Sequence, residues 1–343
     1  MRHALVAAVG LMLATGPAAG FEIEAERHFG PEGARAQMSV LATTDIDFFA
    51  PLVEAFLEGQ PDLALHYVQA ASQEVHRAID VEGAAFDLVI STAMDLQMKL
   101  ANDGFAGPLP ADLVEVLPEW ARWRDRLVAI AQEPVVLLLA EAALRGGQAP
   151  RSRRDLIALL RDNPAVFDGR IGTYDPRISG AGYLFLTQDA RLSDSLWRLA
   201  EVMGRLDARL YCCSGDMIAG LLSGELLVAY NVLGSYAAAN LPADSGVQIV
   251  PLEDFTITLQ RTALVPANAA RPDDGIALLR FLLSDRGQAI QASATGYAVM
   301  RPEMFAAQPW LRPIRLDPGL LSTLDSMTRA RFLTEWNAAL DQP

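Results

Sequence analysis

The sequence predicts an α/β fold of two doubly wound lobes that are joined by two hinge strands. Short apolar strands alternate with segments of helical periodicity, which is typical of parallel sheets covered by helices. About 320 residues follow the first 20, which is enough for two domains, each with its own core. Extended segments in the middle and late chain predict that it crosses between the lobes twice.

The first lobe is predicted to begin with a strand at 38–42 and a helix at 48–57, whose apolar residues recur at helical spacing. Asp45 or Asp47 caps this helix, which places Pro51 in its tolerant first turn. Further strands are predicted at 64–68, 86–90 and 127–130, and further helices at 73–79 and 94–101.

Gln132-Glu133-Pro134 separates two extended segments and marks the first crossover. The second lobe repeats the alternation, with strands at 135–140, 169–173, 208–211 and 226–230 and helices at 154–161, from 180, at 194–205 and at 216–222. Segments 247–251 and 256–265 form the return crossover, and helical residues from 272 complete the first lobe. The predicted division is therefore residues 21–132 and 262–343 for lobe 1, and 133–261 for lobe 2.

The chain begins with the features of a secretory signal peptide. Arg2 and His3 precede an apolar run at 4–14, and small residues end the segment at 1–20, with cleavage predicted after Gly20. No later stretch approaches 18 uninterrupted apolar residues. We therefore expect a soluble, exported protein. Its net charge of −14, with Lys99 as the only lysine, argues against nucleic acid or an anionic membrane as a partner.

Cys212 and Cys213 are adjacent, so a disulfide between them would close a strained ring. In an oxidising compartment the bridge can still form, and the sequence leaves a vicinal disulfide and two buried thiols equally open. The histidines show no ligand spacing relative to this pair, which argues against a metal site.

The most informative segment for function is 170–190, where a short strand turns through Asp-Pro and Ser-Gly into a helix. Ser179, Gly180, Ala181 and Gly182 form the helix opening. Unpaired N–H groups, the helix dipole and the close approach that glycine permits all favour a small anion there. A simple serine cap is the alternative.

Two C-terminal motifs connect the chain with a known family. The segment 277–289, ALLRFLLSDRGQA, and the segment 295–302, TGYAVMRP, resemble the paired helices and following loop of bacterial type II periplasmic solute-binding proteins. The resemblance covers roughly residues 38–340. It implies the type II periplasmic binding protein fold, with a ligand cleft between the lobes, a periplasmic monomer without cofactor, and delivery of a small solute to an inner-membrane ABC permease or a sensor kinase.

Within that family the chain resembles the branch of ferric-ion-binding and phosphoglycerate-transport regulatory proteins. The matching run is Gly224-Glu225-Leu-Leu-Val-Ala-Tyr230-Asn231-Val-Leu233-Gly234, so Leu233 and Gly234 stand where iron binders carry a tyrosine pair. Neither residue can ligate a metal. We therefore expect a receptor that closes on a small organic or phosphorylated anion, and a ferric-ion-binding protein is the alternative.

The resemblance places ligand contacts in loops at strand ends. The candidate binding residues are Thr43, Thr44, Asp45, Ser72, Ser91, Thr92, Arg177, Ser179, Gly180, Ala181, Gly182, Ser214, Tyr230 and Asn231. Capping equally explains Asp45 and Ser214, and Arg177 can equally point into solvent. An enzyme is disfavoured because no Gly-x-Ser-x-Gly elbow and no Ser/His/Asp or Cys/His pattern is present. A secreted hydrolase remains the less favoured alternative.

Overall fold

The computed structural model describes residues 20–144, 146–295 and 307–341. The predicted signal peptide and nearly all of the 295–302 motif lie outside the described residues. Within the described part of the chain, no helix combines the length and the apolar character needed to cross a membrane.

The described residues form a mixed α/β fold with twelve strands. The strands are β1 Ala25–Phe29, β2 Ala36–Ala42, β3 Leu63–Gln69, β4 Leu88–Ser91, β5 Arg122–Trp123, β6 Leu127–Ala140, β7 Ile171–Tyr174, β8 Arg209–Tyr211, β9 Val228–Leu233, β10 Val247–Val250, β11 Thr256–Leu264 and β12 Leu311–Pro313. The helices are α1 Ile46–Leu57, α2 Ser72–Asp80, α3 Met94–Asn102, α4 Ala111–Val114, α5 Arg153–Asp162, α6 Pro164–Phe167, α7 Gly180–Leu192, α8 Ser195–Arg205, α9 Ser214–Leu222, α10 Gly234–Asn240, α11 Pro272–Leu283, α12 Asp285–Thr295 and α13 Ser326–Leu340.

The strands form two groups that share β6. The first group has the order β1-β3-β2-β4-β11-β6, and the second continues as β6-β9-β7-β8. Pairing is parallel among β2, β3 and β4 and among β7, β8 and β9, whereas β1 pairs antiparallel to β3, and β11 pairs antiparallel to β4 and β6. Strand β6 pairs antiparallel to β9, and the short β12 pairs parallel to β11. The α/β prediction is confirmed, and the antiparallel strands make the sheet mixed.

Strand β6 provides the physical link between the lobes. Its first half pairs with β11, from Val128 opposite Ala263 to Pro134 opposite Thr258. Its second half pairs with β9, from Val135 opposite Leu233 to Leu139 opposite Val228. The Gln-Glu-Pro segment does not separate two strands as predicted, because Pro134 is accommodated inside one continuous 14-residue strand.

A buried polar network crosses the same region. The Arg261 guanidinium on β11 donates to Glu133 on β6 at 2.8 Å, and it also donates to the Thr44 hydroxyl. Glu133 in turn accepts from the Ser235 hydroxyl at the start of α10. All four side chains are buried. The network ties the loop after β2 to the opposite lobe through the two crossing strands.

The last helix packs on the second lobe, which corrects the prediction that residues 262–343 complete the first. Trp336 is fully buried in a cluster with residues of α5, α7 and α8. The Phe332 ring meets the rings of Tyr183 and Trp197 at centroid distances of 5.5 Å and 5.4 Å. The exposed apolar face of α8 requires a cover, and α13 provides it.

Candidate functional site

A cleft of about 330 Å³ lies between the two lobes, beyond the carboxyl ends of β2, β3, β7 and β9. Ligands of open α/β sheets bind at such strand ends because loops and helix openings converge there. Seven of the predicted residues line this cleft: Thr43, Asp45, Ser72, Thr92, Ser179, Ala181 and Ser214.

The two lobes are in direct contact at the N-terminus of α7. The Ser72 hydroxyl, at the first residue of α2, accepts from the Gly180 N–H at 2.9 Å and from the Ala181 N–H at 3.3 Å. The Gly182 N–H donates to the hydroxyl of the cap residue Ser179 at 3.1 Å. The N–H groups at the start of α7, where the sequence predicted a bound anion, therefore donate to two serine hydroxyls.

The lining of the cleft is acidic on both lobes. Glu24, Asp45 and Asp216 line it, and no Arg, Lys or His occurs among the described residues that do so. The Gln69 amide donates to Glu24 at 3.0 Å and to Asp45 at 3.1 Å, which holds these two carboxylates side by side.

This grouping changes the protonation of the carboxylates. Burial raises the pKa of Asp45, and repulsion from Asp47 and Asp216 raises it further. Burial likewise raises the pKa of Glu24, with added repulsion from Asp45 and Asp216. A bound cation would reverse both effects by compensating the shared negative charge.

Cys212 and Cys213 form a vicinal disulfide in the wall of the cleft. This resolves the alternative that the sequence left open. The disulfide lies just before α9, and the Cys212 sulfur lies 3.4 Å from a carboxylate oxygen of Asp216. The pair and Asp216 form the one cluster of possible metal ligands within the described residues, but disulfide sulfurs are not thiolate ligands.

The remaining wall is built from tyrosines that hold loops in place. The Tyr174 hydroxyl lies 2.6 Å from the Ser214 hydroxyl, which also accepts from the Leu233 N–H at 3.1 Å. The Tyr236 hydroxyl accepts from the Asp45 N–H at 3.1 Å across the cleft. Burial raises the pKa of Tyr174 and Tyr236 far above neutrality, so both remain phenols.

Several predicted binding residues serve the scaffold instead. Thr44 is fully buried in the polar network that Arg261 and Glu133 form on the two crossing strands. The Ser91 hydroxyl accepts from the Ala93 N–H at 3.1 Å. Arg177 pairs with its neighbour Asp175 at 2.7 Å and lies outside the cleft. Gly180 and Gly182 contribute bonded N–H groups but do not line the cavity.

Tyr230 and Asn231 lie within β9, not at its end, and both are buried. The Tyr230 hydroxyl donates to Asp189 and accepts from the Arg153 guanidinium at 2.8 Å. Arg153 also pairs with Asp189 at 2.9 Å. This buried network belongs to the core of the second lobe, and Tyr230 does not line the cleft, so its ligand role stays a prediction without a contact to support it. The strand prediction ended at 230, whereas the sheet continues to 233.

Sequence reasoning missed Glu24, Gln69, Tyr174, Asp216 and Tyr236 as cleft residues. The segment before β1 shows no strand-end signal, because β1 is an added antiparallel edge strand. Gln69, Tyr174 and Tyr236 follow the same strand-end rule as the residues that were predicted. A wider window at each strand end would have included them.

Comparisons with known proteins agree with this architecture. A family model described as bacterial extracellular solute-binding protein matches residues 39–297. The chain belongs to this family. The resemblance that the C-terminal motif indicated is thereby confirmed. No curated protein matches the chain.

Among solved structures, this solute-binding protein is similar to the substrate-binding protein of an ABC transporter from Agrobacterium tumefaciens. The two are 31% identical over 92% of this chain and 98% of the other, with a TM-score of 0.87.

The fold is also shared with two more distant proteins. AfuA from Actinobacillus pleuropneumoniae, solved with fructose-6-phosphate, is 15% identical over 90% of this chain and all of its own, with a TM-score of 0.71. Iron-bound HitA from Pseudomonas aeruginosa is 16% identical over 89% and 99%, with a TM-score of 0.67. Proteins of one fold thus bind chemically different solutes, so the ligand must be argued from the cleft itself.

Proposed function

We propose that this protein is the receptor of a solute uptake system and that its ligand is a small organic solute with a positively charged group. The observation that carries the proposal is the charge of the cleft. Glu24, Asp45 and Asp216 line it, without a basic side chain among the described lining residues. Carboxylates that repel one another gain most from a bound ammonium or guanidinium group.

The anion predicted from the sequence has weaker support. Its main argument was the free helix opening at 179–182, but serine hydroxyls occupy those N–H groups. A second opening remains at α9, where the Gly215 N–H has no acceptor among the described residues and lines the cleft. A ligand that also carries an acceptor group can use this N–H.

The ferric-ion alternative has no donor set to support it. Leu233 stands in the cleft where the iron-binding branch places a tyrosine. Tyr236 is close, but burial raises the pKa of its hydroxyl, which disfavours a phenolate ligand. Hard trivalent cations require several anionic oxygen ligands in one shell.

The membership of the family supports an inner-membrane ABC permease as the partner. A sensor kinase as partner remains a prediction. Uptake of the ligand by cells that lack only this receptor distinguishes the two, because loss of a permease's receptor abolishes transport, whereas loss of a sensing adaptor leaves the transporter itself intact.

The function is tested by a thermal-shift screen of the mature protein. The panel contains organic amines, guanidinium compounds, quaternary ammonium compounds, carboxylates, sugar phosphates, neutral sugars and ferric citrate. A ligand at about 100 times its dissociation constant stabilises the folded protein by about 2.7 kcal/mol. We expect stabilisation by cationic solutes. Stabilisation by phosphates or carboxylates alone would refute the proposed charge and restore the original prediction.

A pair of variants identifies the site. Asp45→Asn removes a cleft carboxylate, whereas Asp47→Asn removes an exposed carboxylate of the same helix that pairs with Arg27. A hydrogen bond to a charged group contributes about 1.5–3 kcal/mol, so Asp45→Asn should weaken binding by about 10- to 150-fold. Asp47→Asn should weaken binding far less than Asp45→Asn, because Asp47 is exposed and does not line the cleft. Equal effects of the two variants would show that binding responds only to overall charge.

A further inference from the structure

A second cavity of about 260 Å³ lies between the lobes, separate from the cleft. Helices α2 and α3 line it from the first lobe, and α7, the start of α13 and the segment just before α13 line it from the second. Leu96 and Leu324 form part of its apolar surface. The cavity is smaller than most pockets for drug-sized molecules and suits a solute the size of an amino acid.

The lobe 1 side of this cavity carries a carboxyl group without a full set of partners. Asp95 is completely buried. One of its oxygens accepts from the Leu96 N–H at 2.9 Å, and the other has no hydrogen-bond partner within the described residues. Burial raises the pKa of Asp95 to about 7. The unpartnered oxygen can therefore accept a hydrogen bond from a donor group of a ligand.

A cation without an ion-pair partner faces the cavity from the other side. The Arg329 guanidinium lies 5.2 Å from the centre of the Tyr183 ring and makes neither an ion pair nor a hydrogen bond in the described part of the chain. The ring is itself held in place, because the Tyr183 hydroxyl donates to the Thr323 carbonyl. An anionic group can bind to Arg329 without breaking another contact.

A third polar group has a buried atom available to a ligand. His76 lines the cavity, and its Nε2 atom is buried without a partner among the described residues. Burial lowers the pKa of His76, so the imidazole is neutral. It adds hydrogen-bonding capacity without adding charge. Arg177 also lines the cavity, but Asp175 already compensates its charge.

We propose that this cavity is a second binding site, for a small zwitterion such as an α-amino acid, with the ammonium group on Asp95 and the carboxylate on Arg329. A simple cation would leave Arg329 without a partner, and a simple anion would leave Asp95 without a donor. A zwitterion satisfies both. Because both lobes contribute to the cavity, its occupant favours the arrangement in which the lobes are in contact.

The test is isothermal titration calorimetry with glycine and L-alanine as the probes. Methylamine and acetate are matched controls, since each carries only one of the two charges. We expect the amino acids to bind and the controls to bind at least tenfold more weakly. Because burial raises the pKa of Asp95 to about 7, binding of the ammonium group should release protons from Asp95, which makes the measured enthalpy depend on the ionisation enthalpy of the buffer.

Variants distinguish this site from the cleft. Asp95→Asn and Arg329→Gln should each weaken binding of glycine at least tenfold, and Asp95→Asn should abolish the proton release. Asp112→Asn, which removes an exposed carboxylate that pairs with Arg280 and lines neither cavity, should change neither. Arg329 is only half-buried, so its variant remains informative even if Asp95→Asn does not fold.

Two results would overturn the proposal. One is the absence of glycine and alanine binding at millimolar concentrations. The other is binding that survives Asp95→Asn and Arg329→Gln but is lost in Asp45→Asn. The second result would place the amino acid in the cleft and support the proposed function. The first result would refute only the second site, because the thermal-shift screen tests the charge of the cleft ligand independently.

Discussion

Replacement of Gly180 by alanine should weaken ligand binding without unfolding the protein. Gly180 begins α7 in the second lobe, and its N–H donates to the Ser72 hydroxyl of the first lobe. A Cβ atom on Gly180 would lie 2.7 Å from the Ser72 hydroxyl and 2.9 Å from a methyl group of Leu96. Both contacts are shorter than van der Waals packing allows, and both cross between the lobes.

The expected loss of affinity depends on which groups must move to make room for the added Cβ atom. Either the lobes separate, or Ser72 and Leu96 rotate away and two hydrogen bonds are lost. Overpacking of this kind costs about 1–3 kcal/mol. If the cost falls only on the arrangement with the lobes in contact, the affinity should decrease by about 5- to 150-fold. The folded lobes should not lose stability, since alanine favours a helix more than glycine does.

The assay combines calorimetric titration of the ligand found in the screen, small-angle X-ray scattering and urea unfolding. Gly180→Ala should show the weaker affinity and a larger radius of gyration. Gly59→Ala is the control, because Gly59 is exposed, does not line the cleft, and would place its Cβ 3.9 Å from the nearest atom, which is an ordinary van der Waals distance. An unchanged affinity for Gly180→Ala, or a loss of stability that matches its loss of affinity, would refute the reasoning.

Four further outcomes follow from the structure. Trp336→Ala should destabilise the protein by about 3–5 kcal/mol in urea unfolding, because the side chain is fully buried in the second lobe. Tyr230→Phe should lower stability by about 1–3 kcal/mol and leave ligand affinity unchanged in calorimetry, because its hydroxyl serves a buried network. A thiol-specific mass label should not react with the unfolded protein until reductant releases Cys212 and Cys213. Burial raises the pKa of Asp95 from 3.8 to about 7. The contribution of Asp95 to the free energy of unfolding should therefore be greatest below about pH 4 and decrease as the pH rises towards 7. Asp95→Asn should flatten this pH dependence.

Each of these outcomes has a result that contradicts it. Wild-type stability of the Trp336 variant would mean that α13 does not pack on the second lobe in solution. A decrease in affinity for the Tyr230 variant would restore the predicted ligand contact. Full labelling before reduction would exclude the disulfide. An unchanged pH slope in the Asp95 variant would show that this carboxyl group does not control it.

The sequence by itself determined the alternation of strands and helices, because that signal is local. The spacing of Phe49, Leu52, Val53 and Phe56 places them on one buried face of α1 wherever that helix packs. The strand-end rule then identified seven of the cleft residues, since parallel strands bring their carboxyl ends to one edge. The motif at 277–289 indicated the family for a related reason, because its serine cap and apolar face are local features.

Tertiary structure decided the properties that depend on residues distant in sequence. Glu24 joins Asp45 and Asp216 only through an antiparallel edge strand that local periodicity does not reveal, and this grouping sets the charge of the cleft. The helix opening at Ser179 depends on a hydroxyl that comes from Ser72, 108 residues before Gly180. Local pattern predicts which groups need a partner, but only the packed chain determines which partner each one receives.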